Sequence, residues 1–170
     1  MTVGTIEPLG GHDARFRIGS LLLPAVLGEA GIRPDKQEGD RATPAGRLLL
    51  RRLFYRADRV PAPAATVPRE ALSPEDGWCD DPTHPDYNRR ITLPHPARHE
   101  ALWRADALYD LVGVLGWNDD PVVRGRGSAI FLHLAPPGGA PTAGCIALPP
   151  DALREALAAG LTEIVVPGRS

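Results

Sequence analysis

Phe131-Leu132-His133-Leu134-Ala135-Pro136-Pro137-Gly138-Gly139-Ala140-Pro141-Thr142-Ala143-Gly144-Cys145-Ile146-Ala147-Leu148 is the stretch on which the fold turns. Its first four residues, with Ala129 and Ile130 ahead of them, make an apolar run bounded by turn residues, which predicts a buried strand. Prolines and glycines then break the run, and a second short strand follows Cys145. Strand side chains alternate between faces, so His133 shares a face with Ala129 and Phe131, while Ile130, Leu132 and Leu134 point the other way. Cys145 lies twelve positions after His133, enough for the chain to turn back beside its own strand. A thiol beside an imidazole on a rigid element is the minimum kit for a cysteine nucleophile. Gly144 lets the backbone approach a substrate carbonyl closely, and the Cys145 amide is a candidate oxyanion donor. The plainer reading of the same residues is a buried small hydrophobe and a hydrogen-bonded structural histidine.

These residues resemble the active-site motif of the L,D-transpeptidase (YkuD-type) catalytic domain family, usually a His, a loop, then Ser/Thr-His-Gly-Cys. Here the His is His133 and the end of the motif reads Thr142-Ala143-Gly144-Cys145. Ala143 stands where the family usually has a second His, which implies that this His is dispensable to the chemistry. Ala147 stands where many members carry Arg or Asn, so another residue must grip the substrate's carboxylate. The segment Lys36-Gln37-Glu38-Gly39-Asp40-Arg41-Ala42-Thr43-Pro44-Ala45-Gly46 resembles the family's Lys-x-Glu-Gly-Asp…Thr-Pro-x-Gly. Physically it is a turn, with Pro44 fixing φ and Gly46 permitting an unusual one. No chemical role is assigned to Lys36 or Asp40. The resemblance covers roughly residues 14 to 166 and implies a mainly β, β-sandwich-type catalytic domain, expected to span 1–170 as a single unit.

Composition agrees with a small domain of many turns. The 170 residues are enough for a real core. Nineteen prolines and eighteen glycines point to short elements and frequent turns. The net charge of −2 makes no electrostatic case for nucleic acid or an anionic membrane surface. No apolar run approaches the ~20 residues of a membrane span. The opening Met1-Thr2-Val3-Gly4-Thr5-Ile6-Glu7 shows neither a basic region nor an apolar one, so a cytoplasmic monomer is expected, or a periplasmic one if another route exports it. Cys79 and Cys145 are read as free thiols of a reducing compartment.

Along the chain, residues 2–9, 14–18, 21–28 and 162–166 read as strands, and Pro150–Gly160 as the clearest helix, with an apolar stripe at Leu153, Ala156 and Leu157. His99–Arg104 is expected to be a short helix, Ala107–Trp117 a long central strand, and Pro61–Glu75 irregular loop. The arginines between Arg47 and Arg59 alternate with Leu and Phe, the pattern of a solvated strand face. In the polar loop from Gly77 to Arg89, Trp78 and Tyr87 are expected to pack inward over one side of a cleft. Cys79, His84, His95 and His99 have metal-ligand chemistry, but spacings of 5, 11 and 4 match no compact zinc pattern, so no metal is expected. No cofactor is expected either.

Function follows as an expectation from the resemblance: acyl transfer on a peptidoglycan stem peptide at the bond between a diamino acid and the terminal D-alanine. Cys145 is the expected nucleophile and His133 its base, the thiol being lowered from about 8.5 by a cationic imidazole. Gly144 belongs to the oxyanion site. Thr142, Arg126, Arg124 and Trp117 are the expected substrate-binding residues, the two arginines replacing the cation missing at Ala147. With water as acceptor the enzyme is an L,D-carboxypeptidase working on recycled muropeptides, which is the favoured reading. An amine acceptor would make 3–3 cross-links, and a decayed site would leave a cell-wall-peptide binding module. A thiol redox protein is disfavoured by the lack of Cys-x-x-Cys.

Overall fold

The computed structural model describes residues 1–169. Its strands are β1 (Thr2–Gly10), β2 (Asp13–Ile18), β3 (Leu21–Val26), β4 (Ile32–Arg33), β5 (Thr43–Pro44), β6 (Gly46–Tyr55), β7 (Arg69–Ala71), β8 (Asp76–Cys79), β9 (Arg90–Thr92), β10 (His99–Ala101), β11 (Leu111–Leu115), β12 (Phe131–Leu134), β13 (Ile146–Leu148) and β14 (Leu161–Val166). One helix, α1 (Pro150–Ala158), lies between the last two strands. In the main sheet the neighbours run β11–β12–β13–β3–β2–β1–β14–β6–β7. β6 pairs with β14 through Gly46–Leu49 and with β11 through Leu50–Tyr55, so the pairings close on themselves. Closure removes the long exposed edges on which a sheet of this size would otherwise aggregate. The result is a mainly β, β-sandwich-like domain with one short helix. Among the described residues no helix is long and apolar enough to cross a membrane.

Period-2 patterning builds the interior. Ala14, Phe16 and Ile18 of β2 are buried while Asp13, Arg15 and Arg17 are exposed. Helix α1 closes the interior with Ala152, Leu153, Ala156 and Leu157, all buried. On β12 the two faces serve different clusters. Ile130, Leu132 and Leu134 enter the main core, whereas Ala129 and Phe131 join a second cluster with Phe54, Tyr109, Val112 and Cys145. The alternation expected from sequence is therefore the actual division of the molecule. A separate sheet, β10–β8–β9, lies over that second cluster, bringing Trp78 edge-on to Phe131 at 5.2 Å.

The structure departs from expectation in four elements. His99–Arg104 is not a helix: His99–Ala101 is β10, paired with Gly77–Cys79 of β8. A six-residue helix has too few internal bonds to survive alone, and the open edge of β8 offers better ones. Within Pro61–Glu75 the segment Arg69–Ala71 pairs in parallel with Leu53–Tyr55. The central strand is Leu111–Leu115 alone, because backbone turns bond Asp110 to Ala107 and Trp117 to Leu115 on either side. Finally, Gly77–Cys79 of the expected polar loop belongs to β8, which pairs with both β10 and β9. As expected, the chain after Cys145 returns beside β12, where β13 pairs in parallel with Ala147 opposite His133. The intervening chain crosses over, clipped to Leu27 and Glu29 at Thr142.

The arginine-rich β6 behaves as a solvated face whose charges are matched. Arg47 pairs with Glu163, Arg51 with Asp119 and Arg52 with Glu70. The core makes a simple prediction. Leu153→Ala should lower unfolding free energy by about 2–5 kcal/mol, while Leu49→Ala on the exposed side of β6 should change it by about 0.5 kcal/mol or less. Urea denaturation of the two variants measures the difference.

Candidate active site

His133 and Cys145 line one cavity of about 390 Å³. His133 sits on β12 between Val112 and Ala147, only 4% exposed. Its Nδ1–H donates to the Leu134 carbonyl at 2.8 Å, which puts the proton on Nδ1 and leaves Nε2 with a bare lone pair. A backbone carbonyl thus does the orienting that a carboxylate does in other triads. Aromatic edges hold the ring from the side: Tyr109 lies 5.2 Å from His133 and 5.8 Å from Phe131.

Cys145 follows a glycine that nothing else can replace. Gly144 has φ +139°, and a Cβ there would stand 2.8 Å from the Ala42 carbonyl oxygen. Gly28 packs against the same loop, where a Cβ would come within 3.0 Å of Gly144 Cα. Thr142 ties the loop from within: its Oγ1 donates to the Cys145 carbonyl at 2.7 Å and accepts from the Gly144 amide at 3.1 Å. The Gly144 N–H is thereby spent, and of the two amides expected at the oxyanion site, Cys145 is the one without an acceptor among the described residues.

The charge state differs from the expected thiolate–imidazolium pair. Cys145 Sγ donates to the Ala129 carbonyl at 3.3 Å and accepts from the Phe131 amide at 3.4 Å, with no hydrogen bond to His133. Burial pushes the thiol up to about 12, and the nearby Glu100 carboxylate adds to the effect. Burial likewise pushes His133 down to about 4, with the Arg104 charge working in the same direction against the Leu134 hydrogen bond. Both shifts favour the neutral forms, the thiol and the uncharged imidazole. Two charges in so dry a site would lose more hydration than they regain from each other.

Three loops lock this arrangement. Lys36 pairs with Asp40 at 2.5 Å, both side chains under 10% exposed, and Asp40 also accepts from the Gln37 and Ala42 amides. The pair fixes the turn that presents the Ala42 carbonyl to Gly144. Glu38 accepts from the Tyr87 and Ser128 hydroxyls, each at 2.6 Å. Asn88, buried with φ +56°, accepts from the Trp78 indole and the Ala129 amide and donates to the carbonyls of Trp117 and Asn118. Ala129, itself at φ +53°, is thus held where its carbonyl meets the thiol. The inward packing expected for Tyr87 is present, at 1% exposure.

The structure does not bring every expected residue to the cavity. Thr142 lines it, but with its hydroxyl engaged inside the loop. Arg124 reaches the Thr83 carbonyl, and neither it nor Arg126 lines the cavity. Trp117 belongs to a neighbouring cavity with Trp78, Arg90 and Phe131, and its indole donates to the Arg126 carbonyl. The polar residues that line the cavity and that sequence reasoning did not assign to it are Arg104, Tyr109, Glu100, Asp80, Glu38 and Ser128. Only a β10 reading of His99–Ala101 could have placed Glu100 and Arg104 there. His84, Asp86 and His95 come together with ligand atoms within 4.8 Å, a group that includes neither Cys79 nor His99. Both rings accept a backbone amide on Nδ1, so their Nε2 atoms carry the protons, and His95 donates to Asp86. That hydrogen bonding suits a structural cluster better than a ligand set.

With fold and cavity in view, comparison with known proteins places the chain. The L,D-transpeptidase catalytic domain, YkuD, matches residues 13–166. The chain belongs to that family. Among solved structures, it is similar to L,D-transpeptidase 1 of Mycobacterium tuberculosis, with 16% identity and a TM-score of 0.40 over 98% of this chain and 62% of that one. It therefore spans less than two thirds of that protein's length. No curated protein matches.

Two outcomes follow from the site. In a Cys79→Ala background, iodoacetamide should modify Cys145 more slowly at pH 7 than it modifies a free thiol. The rate should keep rising beyond pH 9.5, because a thiol held near 12 has no thiolate plateau below that. A plateau below pH 8 would instead reveal an ion pair. Gly144→Ala should destabilise the protein by more than about 2 kcal/mol, from left-handed strain and collision with Ala42, as read by thermal or urea unfolding.

Proposed function

We propose that the chain is a cysteine L,D-carboxypeptidase that removes the terminal D-alanine from peptidoglycan stem tetrapeptides, leaving the tripeptide. The observation that carries this reading is the shared cavity of Cys145 and a His133 whose Nε2 is free to accept a proton. As Sγ attacks the scissile carbonyl carbon, its proton passes from the Ala129 hydrogen bond to His133 Nε2. The Cys145 amide faces the developing oxyanion. Nε2–H then protonates the departing amine, the C–N bond breaks, and a thioester remains. Water attacks that thioester, giving one proton to Nε2, which returns it to sulfur.

The cavity wall favours water over an amine as acceptor. Glu38 and Asp80 line it, and neighbouring carboxylates favour the ammonium form of an incoming amine, which has no lone pair to attack with. Water bears no such penalty. Both cysteines are unpaired and buried, which suits a reducing compartment, and a cytoplasmic location belongs to the same proposal.

Incubation with purified disaccharide-tetrapeptide, followed by mass spectrometry, tests the reading. Tripeptide and D-alanine should form in equal amounts, and Cys145→Ala should abolish both while Cys79→Ala does not. His133→Ala should cost on the order of 10²–10⁴ in rate. A 3–3 cross-linked dimer as the main product would make the protein a transpeptidase, and no product at all would make it a binding module.

A further inference from the structure

We infer that Arg104 grips the C-terminal carboxylate of the stem peptide and so restricts the enzyme to the last residue of the chain. The inference rests on the carboxypeptidase reading for its substrate. It begins from a position that cannot do the job. Ala147, opposite His133, is fully buried between β12 and β3 and offers no polar group. Arg104 is the one Lys or Arg among the residues lining the cavity.

Its location suits the leaving group. His133 must hand its proton to the amine of the departing residue, whose own carboxylate lies about 3–4 Å from that nitrogen. The receptor for the carboxylate must then stand just beyond the imidazole. Arg104 lines the same cavity, its guanidinium 5.1 Å from the Tyr109 ring, which in turn lies 5.2 Å from His133. Its charge also reaches the imidazole, adding to the effects that keep His133 neutral.

The fork is built in advance. Arg104 Nε and Nη2 donate to the two oxygens of Asp106 at 2.8 and 2.6 Å, which leaves Nη1 without an acceptor among the described residues. The turn carrying it is fixed as well, since the Arg104 carbonyl accepts from Arg56 Nη1 at 2.7 Å while the Arg56 guanidinium covers Trp103 at 3.5 Å. A guanidinium already ordered by its own neighbours gives up little rotamer freedom on meeting a carboxylate. The acidic residues on the same wall sharpen the selection. They disfavour a carboxylate along the rest of the wall, so a donor whose chain continues, or whose end is amidated, loses the one cationic anchor that lines the cavity.

The test compares two donors, the tetrapeptide with a free C-terminal carboxylate and the same peptide as its carboxamide. Calorimetry on Cys145→Ala should show the acid binding on the order of 10–100-fold tighter than the amide. In Cys145→Ala/Arg104→Gln the ratio should fall below about threefold, through weaker binding of the acid alone. Arg104→Lys should keep an intermediate preference. In the otherwise native enzyme, Arg104→Gln should collapse the ratio of kcat/KM values for the two donors in the same way. A preference that survives Arg104→Gln, or equal losses on both donors, overturns the inference. The arms separate the two claims. Binding preference without turnover sinks the hydrolytic reading and leaves the grip standing, whereas equal turnover of both donors by the native enzyme sinks the grip alone.

Discussion

The two-faced strand β12 is the constraint on which the rest depends. Leu132, with Ile130 before it and Leu134 after it, is committed to the main core, so His133 has no choice of face. A slip of one residue would bury the imidazole among leucines and turn Leu132 to the cavity. Everything that packs on the main core therefore also aims the candidate base. Helix α1, placed right after β13, reinforces the point by sealing that core from the far side. Stability and site geometry are thus set by the same apolar contacts.

The nucleophile is placed by a different means, backbone against backbone. Gly28, Gly144 and the Ala42 carbonyl meet so closely that no side chain fits between them. The Lys36–Asp40 pair sits one turn away and holds Ala42 in register. A buried ion pair is an inefficient way to gain stability, since desolvation consumes most of the attraction. Its use here makes sense as a fixed point for a turn that must not move relative to Cys145. The neutral state of the thiol fits the same picture, because a site this dry favours uncharged partners until substrate arrives.

What was legible in the sequence was whatever is encoded locally. The alternation through Ala129–Leu134 predicted both faces of β12, and the stripe at Leu153, Ala156 and Leu157 predicted the buried side of α1. That His133 and Cys145 line one cavity was legible from residue types and motif. Partners supplied by distant segments were not. Helix-like composition at His99–Arg104 gave way to the edge of β8, and with that extended backbone came Glu100 and Arg104, which no local pattern places in the cavity. Arg124 and Arg126 were drawn in from sequence adjacency to β12, but glycine-rich backbone carries that loop towards Thr83 instead. The thiol's charge state also escaped, because burial is a property of the assembled fold.

The central claim is that Cys145 carries the acyl group between donor and acceptor. The most direct measurement is rapid acid quenching of the enzyme during turnover of tetrapeptide, followed by intact-mass and peptide mapping. A thioester equal in mass to the donor minus D-alanine should appear on the peptide containing Cys145, transiently in the native protein. Product accumulating with no adduct at any time, or an adduct mapped to Cys79, would contradict the account.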